Sequence, residues 1–532
     1  MDEINGVTGI WEKYEKGQDY LRRINLASKA ERCWNFYKGD QWKGLQSGGE
    51  ELPTLNIIKG TVKHKVATVA QNSMAANFTS MDGDEATAEV CDKLSKFFAR
   101  CWEKGKLDSH GWNILKEACI VSDACLFYGT ADVTKPQLLR SVDIMFADEQ
   151  QPDIQAQKYI LIAERLFVED IKAQARENGV DELEIETITS DEDTEFQIGN
   201  KTEVKNKSGK CVSILYMYKG DDGYVHFSKA TRTCVYLPDT PLVVKDAEGN
   251  VTGGLTSYPL VHFVWDTLPN SARGAGEVEF LIPNQLELNK TLARRSIAVK
   301  MGAFPKLAYD AKAISNPEAL DMVGAAIEVT GGNAQDINKM ISYLHPAQIS
   351  SDAYQYSSDL LTQTRDLAGA GDAATGQVDP TKASGAAIIA VRDQAALPLN
   401  EQLAAYKQFV EDLALVWFNL WVAYNPDGLE ITYEREGQEV AEVIPAEILT
   451  GMEVDIRIDV SPDNPWSKYA QQQTLDNLLA SQHITFDEYV EALDDNGGVP
   501  KGKLTAILER RAKRAFTAAP PMMGEVSANV LP

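Results

Sequence analysis

The residues that could do chemistry in this chain are sparse. The histidines His64, His110, His226, His262, His345 and His483 lie far apart, with none of the spacings that gather metal ligands on a helix or hairpin. The chain has no Gly-x4-Gly-Lys-Ser/Thr loop, no His-Glu-x-x-His and no Gly-x-Ser-x-Gly. Gly369-Ala-Gly-Asp-Ala-Ala-Thr-Gly376 superficially resembles a phosphate-binding loop, but it follows a helical stretch rather than a strand and its spacing is wrong. Aspartate and glutamate are so frequent that acid pairs carry no signal. No enzyme, cofactor or metal centre is therefore expected. Two kinds of residue remain. One is the small polar set Gly371, Asp372, Thr375, Gly376, Gln377, Asp379 and Lys382, in a segment with glycines at 369, 371, 376 and 385. The other is clustered base: Lys290, Arg294, Arg295 and Lys300, and again Arg510, Arg511, Lys513 and Arg514. Such cations pair with phosphates or with carboxylates.

The elements that must position them follow from periodicity. After the glycine-rich segment, Thr381 or Ser384 can cap a helix. Leu399, Leu403, Tyr406, Val410, Leu413, Trp417, Leu420 and Tyr424 then recur at steps of four and three, a continuous apolar stripe. A helix over 384–424 spans about 60 Å, and Pro398 inside it predicts a bend. The segment reads either as a mobile loop on a rigid lever or as a linker before a core helix.

Upstream, 7–42 reads as helix stopped by Gly39, with Trp42 as an anchor. Helices are expected over 56–77, with a basic side (Lys59, Lys63, His64, Lys65), and over 84–104 and 108–128, the last presenting Trp112, Leu115, Cys119 and Ile120. Strands are expected over 137–146, 158–167, 211–218, 223–228, 232–237 and 258–265, and a short helix over 168–178. The acid-rich 181–195 reads as a solvated insertion. Residues 284–302 and 349–368 read as helices around a small α/β insert, 303–346, with a helix opening at Asn316-Pro317 and strands near 325–330 and 340–344. The stretch 428–460 returns to β, helices run from 466 to about 514, and the tail from Ala518 looks unstructured.

The whole chain sets bounds. At 532 residues it is too long for one core, so two to four domains are expected. Hydrophobic content of 44% and charged content of 24% are ordinary globular values. It opens Met-Asp-Glu-Ile-Asn, with no basic-then-apolar start, and no signal peptide is expected. No apolar run is long enough for a membrane span. Seven scattered cysteines (Cys33, Cys91, Cys101, Cys119, Cys125, Cys211, Cys234), without Cys-x-x-Cys, read as reduced thiols in a cytosolic protein. A net charge of −26 argues against gripping nucleic acid over the whole surface, though not against letting DNA slide past.

The order of elements resembles the portal proteins of tailed bacteriophages. Local patches agree: Trp34-Asn-Phe-Tyr-Lys-Gly-Asp-Gln-Trp42, Tyr258-Pro-Leu-Val-His-Phe263, Gly274-x-Gly-Glu-Val running to Gln285-x-x-x-Asn289, and Ala383-Ser-Gly-Ala-Ala-Ile388. The resemblance covers roughly 10–465. It implies an α+β, multidomain protomer with helical stem, α/β clip, α/β wing and helical crown. The implied divisions are 1–283 (N-terminal helices and wing), 284–302 (first stem helix), 303–346 (clip), 347–368 (second stem helix), 369–385 (tunnel loop), 386–465 (long kinked helix and wing return) and 466–532 (crown and tail). It also implies a non-enzymatic homo-oligomeric ring, usually of twelve subunits, assembled in the host cytoplasm and resident at the capsid vertex. Its partners would be double-stranded DNA, the terminase large subunit, tail adaptors, and major capsid and scaffolding proteins, with no membrane. Two other classes stay open: a different head or adaptor protein, and a nucleic-acid-processing enzyme.

Overall fold

The computed structural model describes residues 6–43, 52–80, 85–130, 132–191, 209–245, 251–303, 306–330, 340–344, 351–369, 371, 397–435, 438–451, 454–462, 474–493, 504, 507 and 508. The chain forms two compact units, residues 1–70 with 76–459, and residues 71–75 with 460–532. The first mixes helix and strand, as expected of an α+β chain. Within the second, helix Phe486–Ala492 is opened by a capping box between Thr485 and Glu488 and buries Tyr489, Val490 and Leu493.

Helix Asn400–Tyr424 forms the spine of the larger unit. The stripe read from the sequence is buried at Tyr406, Val410, Leu413, Trp417 and Leu420, and a second row, Phe409, Val416 and Trp421, is buried too. Trp417 is fully buried, its ring 4.7 Å from Phe98 and 6.1 Å from Tyr128. Trp421 packs on Phe78 and Phe97, and Phe263 stands edge-on to Tyr406 and Phe409. Each such aromatic removes enough apolar surface from water to contribute about 1.5–3 kcal/mol.

Among the described residues, two antiparallel sheets have three strands or more, and one of them packs on the spine through strand Leu260–Val264. One runs in chain order through Ile144–Phe146, Tyr159–Phe167, Lys210–Lys219, Val225–Ala230 and Val235–Pro241. In the other, Asp123–Phe127 is central, pairing Cys125 with both Leu139 and His262. The seven cysteines are free and buried.

Several expectations are corrected. The helix over 108–128 ends at Ile120, and Asp123–Phe127 is a strand. Residues 117–128 are buried without exception, so no exposed face remains to mark a period; Trp112, expected inside, is 45% exposed. The helix over 56–77 ends at Ala70, followed by strand Asn72–Ser80. Residues 7–42 form two helices, broken at Asn25 (φ 53°), while Gly39 (φ 101°) closes the second as expected. The strand over 137–146 splits into Gln137–Arg140 and Ile144–Phe146, in different sheets. Arg140 grips Asp143 through two hydrogen bonds, of 2.7 and 2.9 Å, across the intervening turn.

The acid-rich insertion is structured in its described part. Asp181 caps helix Glu182–Glu186, and Ile185 and Ile188 are buried against Ile171, Ala175 and Tyr236. Strands Val243–Lys245 and Val251–Gly254 were not foreseen. Within 303–346, strand Lys306–Tyr309 pairs with Ile341–Leu344. The expected strand at 325–330 is reduced to one bridge, Ile314 to Val329, and the helix at Asn316-Pro317 is a 3-10 turn, Pro317–Asp321.

Candidate functional site

The basic helix begins earlier than its periodicity suggests, running Glu277–Ala303 with Pro283 inside. At 1.5 Å per residue it is about 40 Å long. Lys65 of helix Ile57–Ala70 meets Glu277 at 2.6 Å, so one base of that helix's predicted basic side is spent on this helix start. Helix Ser351–Leu367 packs beside it, and the chain between the two helices folds back through the antiparallel pair Lys306–Tyr309 and Ile341–Leu344.

The structure separates the four predicted bases of this helix. Arg295 is held within its own chain. Its guanidinium lies 4.2 Å from the Tyr354 ring centre, and Nη1 donates to Ser357 Oγ at 2.5 Å. Among the described residues Arg294 reaches Glu287, at 3.6 Å, with 72% of its side chain exposed. Lys290 and Lys300 are exposed. Lys290 and Arg294 belong to an outward row, Phe280, Pro283, Glu287, Lys290, Arg294, Ile297 and Met301, at steps of three and four. Its ends are apolar and its middle charged. Ile297 and Met301 are large apolar groups left exposed.

The root of this helix shows why two separated sequence patches coexist. Gln285 and Asn289 share one face and are fully buried. Gln285 accepts from the Ile57 amide at 3.0 Å and donates to Leu55 O at 2.7 Å and to Asn289 Oδ1 at 3.0 Å. Asn289 Nδ2 donates to Gln41 Oε1 at 2.5 Å, and Gln41 donates in turn to Phe36 O at 2.9 Å. Trp42 Nε1 donates to Pro53 O at 3.2 Å. The Gln41-Trp42 and Gln-x-x-x-Asn patches therefore form one buried polar network, in which an unmade bond costs about 1–3 kcal/mol. The Gly274-x-Gly276 patch has a steric reason. A Cβ at Gly274 would sit 2.3 Å from Asp266 O, and one at Gly276 2.5 Å from Val121 O.

A buried charged cluster escaped the sequence reading. Arg273 Nε and Nη2 donate to Glu149 at 2.9 and 3.1 Å, and its other donors reach Ser141 O and Ile144 O. Its Nη1 is 3.7 Å from Asp123, and His262 Nε2 is 3.2 Å from the same carboxylate. Burial opposes ionisation of Asp123, but the His262 hydrogen bond and the Arg273 charge outweigh it and hold the carboxyl at about 2. Ser122 Oγ donates to Asp123, not to the imidazole, so the serine lacks the base a nucleophile needs. The cluster is a lock between strand ends. Among the described residues no group of three or more His, Cys, Asp or Glu could hold a metal ion, and no helix is long and apolar enough to cross a membrane.

Nearby, Glu117 is buried with one long hydrogen bond, from Trp34 Nε1 at 3.4 Å. Burial pushes its carboxyl from 4.5 up to about 7. Between those values the native state keeps a proton that the unfolded chain has lost, so stability falls as pH rises from about 4.5 to 7 and the penalty is constant above. The shift corresponds to a loss on the order of 3 kcal/mol. Glu117→Gln keeps the acceptor and removes the charge. Denaturant midpoints at pH 4.5 and 8 should show little gain at the lower pH and the full gain at the higher. A gain independent of pH would contradict a neutral native Glu117.

The glycine-rich segment is described only at its start. Gly369, at φ +67°, closes helix Ser351–Leu367, its amide bonding Asp366 O at 3.0 Å. Gly371 follows. Asp372, Thr375, Gly376, Gln377, Asp379 and Lys382 lie outside the described residues, as do Arg510, Arg511, Lys513 and Arg514. Pro398 lies in the 3-10 turn Leu397–Leu399 that leads into helix Asn400–Tyr424, and 381–396 is likewise outside the described residues.

A model of the family described as phage P22-like portal protein matches residues 146–494, well over half the chain. No curated protein matches it.

Proposed function

The chain belongs to the phage P22-like portal protein family, and from that premise we propose which of its parts form the channel, which dock partners, and how many copies close the ring. A portal protein is a structural component of the virion: its ring at a capsid vertex is the channel for viral DNA packaging. In our reading, helices 277–303 and 351–367 are the stem, and 303–346 is the clip that docks the terminase large subunit and later the tail adaptors. Residues 369–385 are the tunnel loop, which touches DNA through Gly371, Asp372, Thr375, Gly376, Gln377, Asp379 and Lys382. The wing comprises 130–265 with 428–460, and 466–532 is the crown, with Arg510, Arg511, Lys513 and Arg514 as its basic cluster. Twelve copies close the ring, assembled in the host cytoplasm alongside major capsid and scaffolding proteins.

The observation that carries this reading is the helix pair 277–303 and 351–367. Its root is fixed by the Gln285–Asn289 network, while its outward row is uncovered. Each copy carries a formal charge of −26. A strongly acidic ring repels phosphate and lets DNA move without tight binding, with Lys290, Arg294 and Lys300 as local contacts either to DNA or to acids of a neighbouring stem. Negative-stain images of the purified chain should show rings with a central hole. A field of monomers at assembly concentrations would refute the ring reading.

A further inference from the structure

Among the described residues, no element lies over one face of the spine helix. Along Asn400–Tyr424, Ala405, Gln408, Asp412, Leu415 and Asn419 recur at steps of three and four and line one wall of a cavity of about 460 Å³. Strand Leu260–Val264 and the segments 152–155 and 267–272 supply the rest. Leu260, Phe409 and Val416 make its inner surface apolar, and Leu268 and Leu415 stand exposed at its margin. The volume is in the range of small-molecule sites, which are apolar bodies with a few placed polar groups.

The placed groups here are two carboxylates. Asp412 accepts a hydrogen bond from Gln408 Nε2 at 3.0 Å, and no described cation forms an ion pair with it. Asp153, an exposed residue that also lines the cavity, accepts from the Gln155 amide at 2.8 Å. His262 lines the cavity too, but its Nε2 is turned to Asp123, and Lys219, which donates to Gln155 O at 2.7 Å, does not line it. Burial, and then the charge of Asp153, make Asp412 harder to ionise. Among its described lining residues the acids are Asp412, half-buried, and Asp153, exposed, and the one base, His262, is already engaged by Asp123, so the lining is acidic beside apolar surface that water wets poorly. An apolar anion is repelled there, and a neutral apolar molecule leaves the carboxylates unpaired.

We propose that this cavity binds an amphiphilic cation, an aliphatic or aromatic body carrying an ammonium or guanidinium that pairs with Asp412 and Asp153. The inference is independent of the portal reading, since it rests only on the geometry of this cavity. The same chemistry can come from a free amine or from a lysine or arginine flanked by apolar residues on another polypeptide.

Titration calorimetry on the full-length protein tests it with n-hexylammonium, hexan-1-ol and hexanoate as probes. Hexylammonium should bind saturably, hexanol at least about tenfold more weakly, and hexanoate not at all, since a hydrogen-bonded charge pair contributes about 1.5–3 kcal/mol. Asp412→Asn should weaken hexylammonium by about ten- to a hundredfold and leave hexanol little changed. Asp153→Asn should cost less, because Asp153 is exposed. Val416→Trp should block every probe by filling the cavity. The peptide acetyl-Leu-Lys-Leu-amide distinguishes the sources: tighter binding than hexylammonium identifies a protein side chain as the occupant, and weaker binding a free amine. Equal affinity for hexanol and hexylammonium in the unaltered protein, or full affinity for hexylammonium in Asp412→Asn, would overturn the proposal.

Discussion

Ile297→Asp should abolish the proposed ring assembly while leaving the protomer folded. Ile297 is 43% exposed on the outward row of helix 277–303. Losing it removes little packing within the chain, and such surface changes move stability by about 0.5 kcal/mol or less. If this row is the ring interface, as proposed, a neighbour covers the same position, and an unpaired carboxylate there costs several kcal/mol. A head-to-tail ring closes only if every interface forms, so the cost recurs at each one. Light scattering after size exclusion should report monomers for Ile297→Asp and rings for the unaltered protein, with superimposable circular dichroism below the melting transition and a lower melting temperature for the monomer, which lacks the subunit contacts. Lys290→Ala, on the same row, removes charge without burying one and should keep the ring. Full rings from Ile297→Asp at ordinary concentrations would show that this row faces no neighbour, and the stem assignment would have to move.

What the sequence made legible depended on how many sides of a segment are buried. Helix 400–424 was readable because Tyr406, Val410, Leu413, Trp417 and Leu420 recur at helical spacing, although the second buried row that makes it a spine was not noticed. Residues 117–128 were unreadable because every one is buried, and the change from helix to strand at Ile120 leaves no trace in an apolar run. The Gln285 and Asn289 pair could be noticed as spacing, but its partner Gln41 lies 248 residues from Asn289, and only the fold joins them. Arg273 gave no signal at all. It looks like any surface arginine until Asp123, Glu149 and the Ser141 and Ile144 carbonyls close around it. Of the four bases predicted on helix 277–303, spacing alone could not tell that Arg295 turns toward Tyr354 while Arg294 turns outward, because adjacent residues on a helix point about 100° apart and the neighbouring helix decides which is covered.

Rings carrying Gly371→Ala with Gly376→Ala should assemble normally and package or retain DNA poorly. The segment after helix 351–367 has two kinds of glycine. Gly369 is left-handed, at φ +67°, and closes the helix, so a side chain there strains the cap itself. Gly371 has no such φ. Among the described residues, a Cβ added to it meets the Asp366 carboxylate, at 2.6 Å, the far end of a side chain that can swing away. Alanine at 371 therefore fits the described conformation and narrows the others. That is the property that separates a moving loop from a passive linker. If 369–385 only connects two helices, fewer accessible conformations stabilise the protomer slightly, by about 0.4–1 kcal/mol per site, and packaging is untouched. If the loop must pass through left-handed backbone as DNA moves, each alanine adds about 1–2 kcal/mol to that step, a loss of tenfold or more for the pair within each subunit. Counting packaged genomes per assembled ring, and the fraction retained after dilution, reads the step directly. Gly369→Ala serves as the contrast, because its strain should lower protomer stability whether or not the loop moves. Normal packaging and retention by fully assembled Gly371→Ala, Gly376→Ala rings would assign 369–385 to the linker class and take the tunnel role from it.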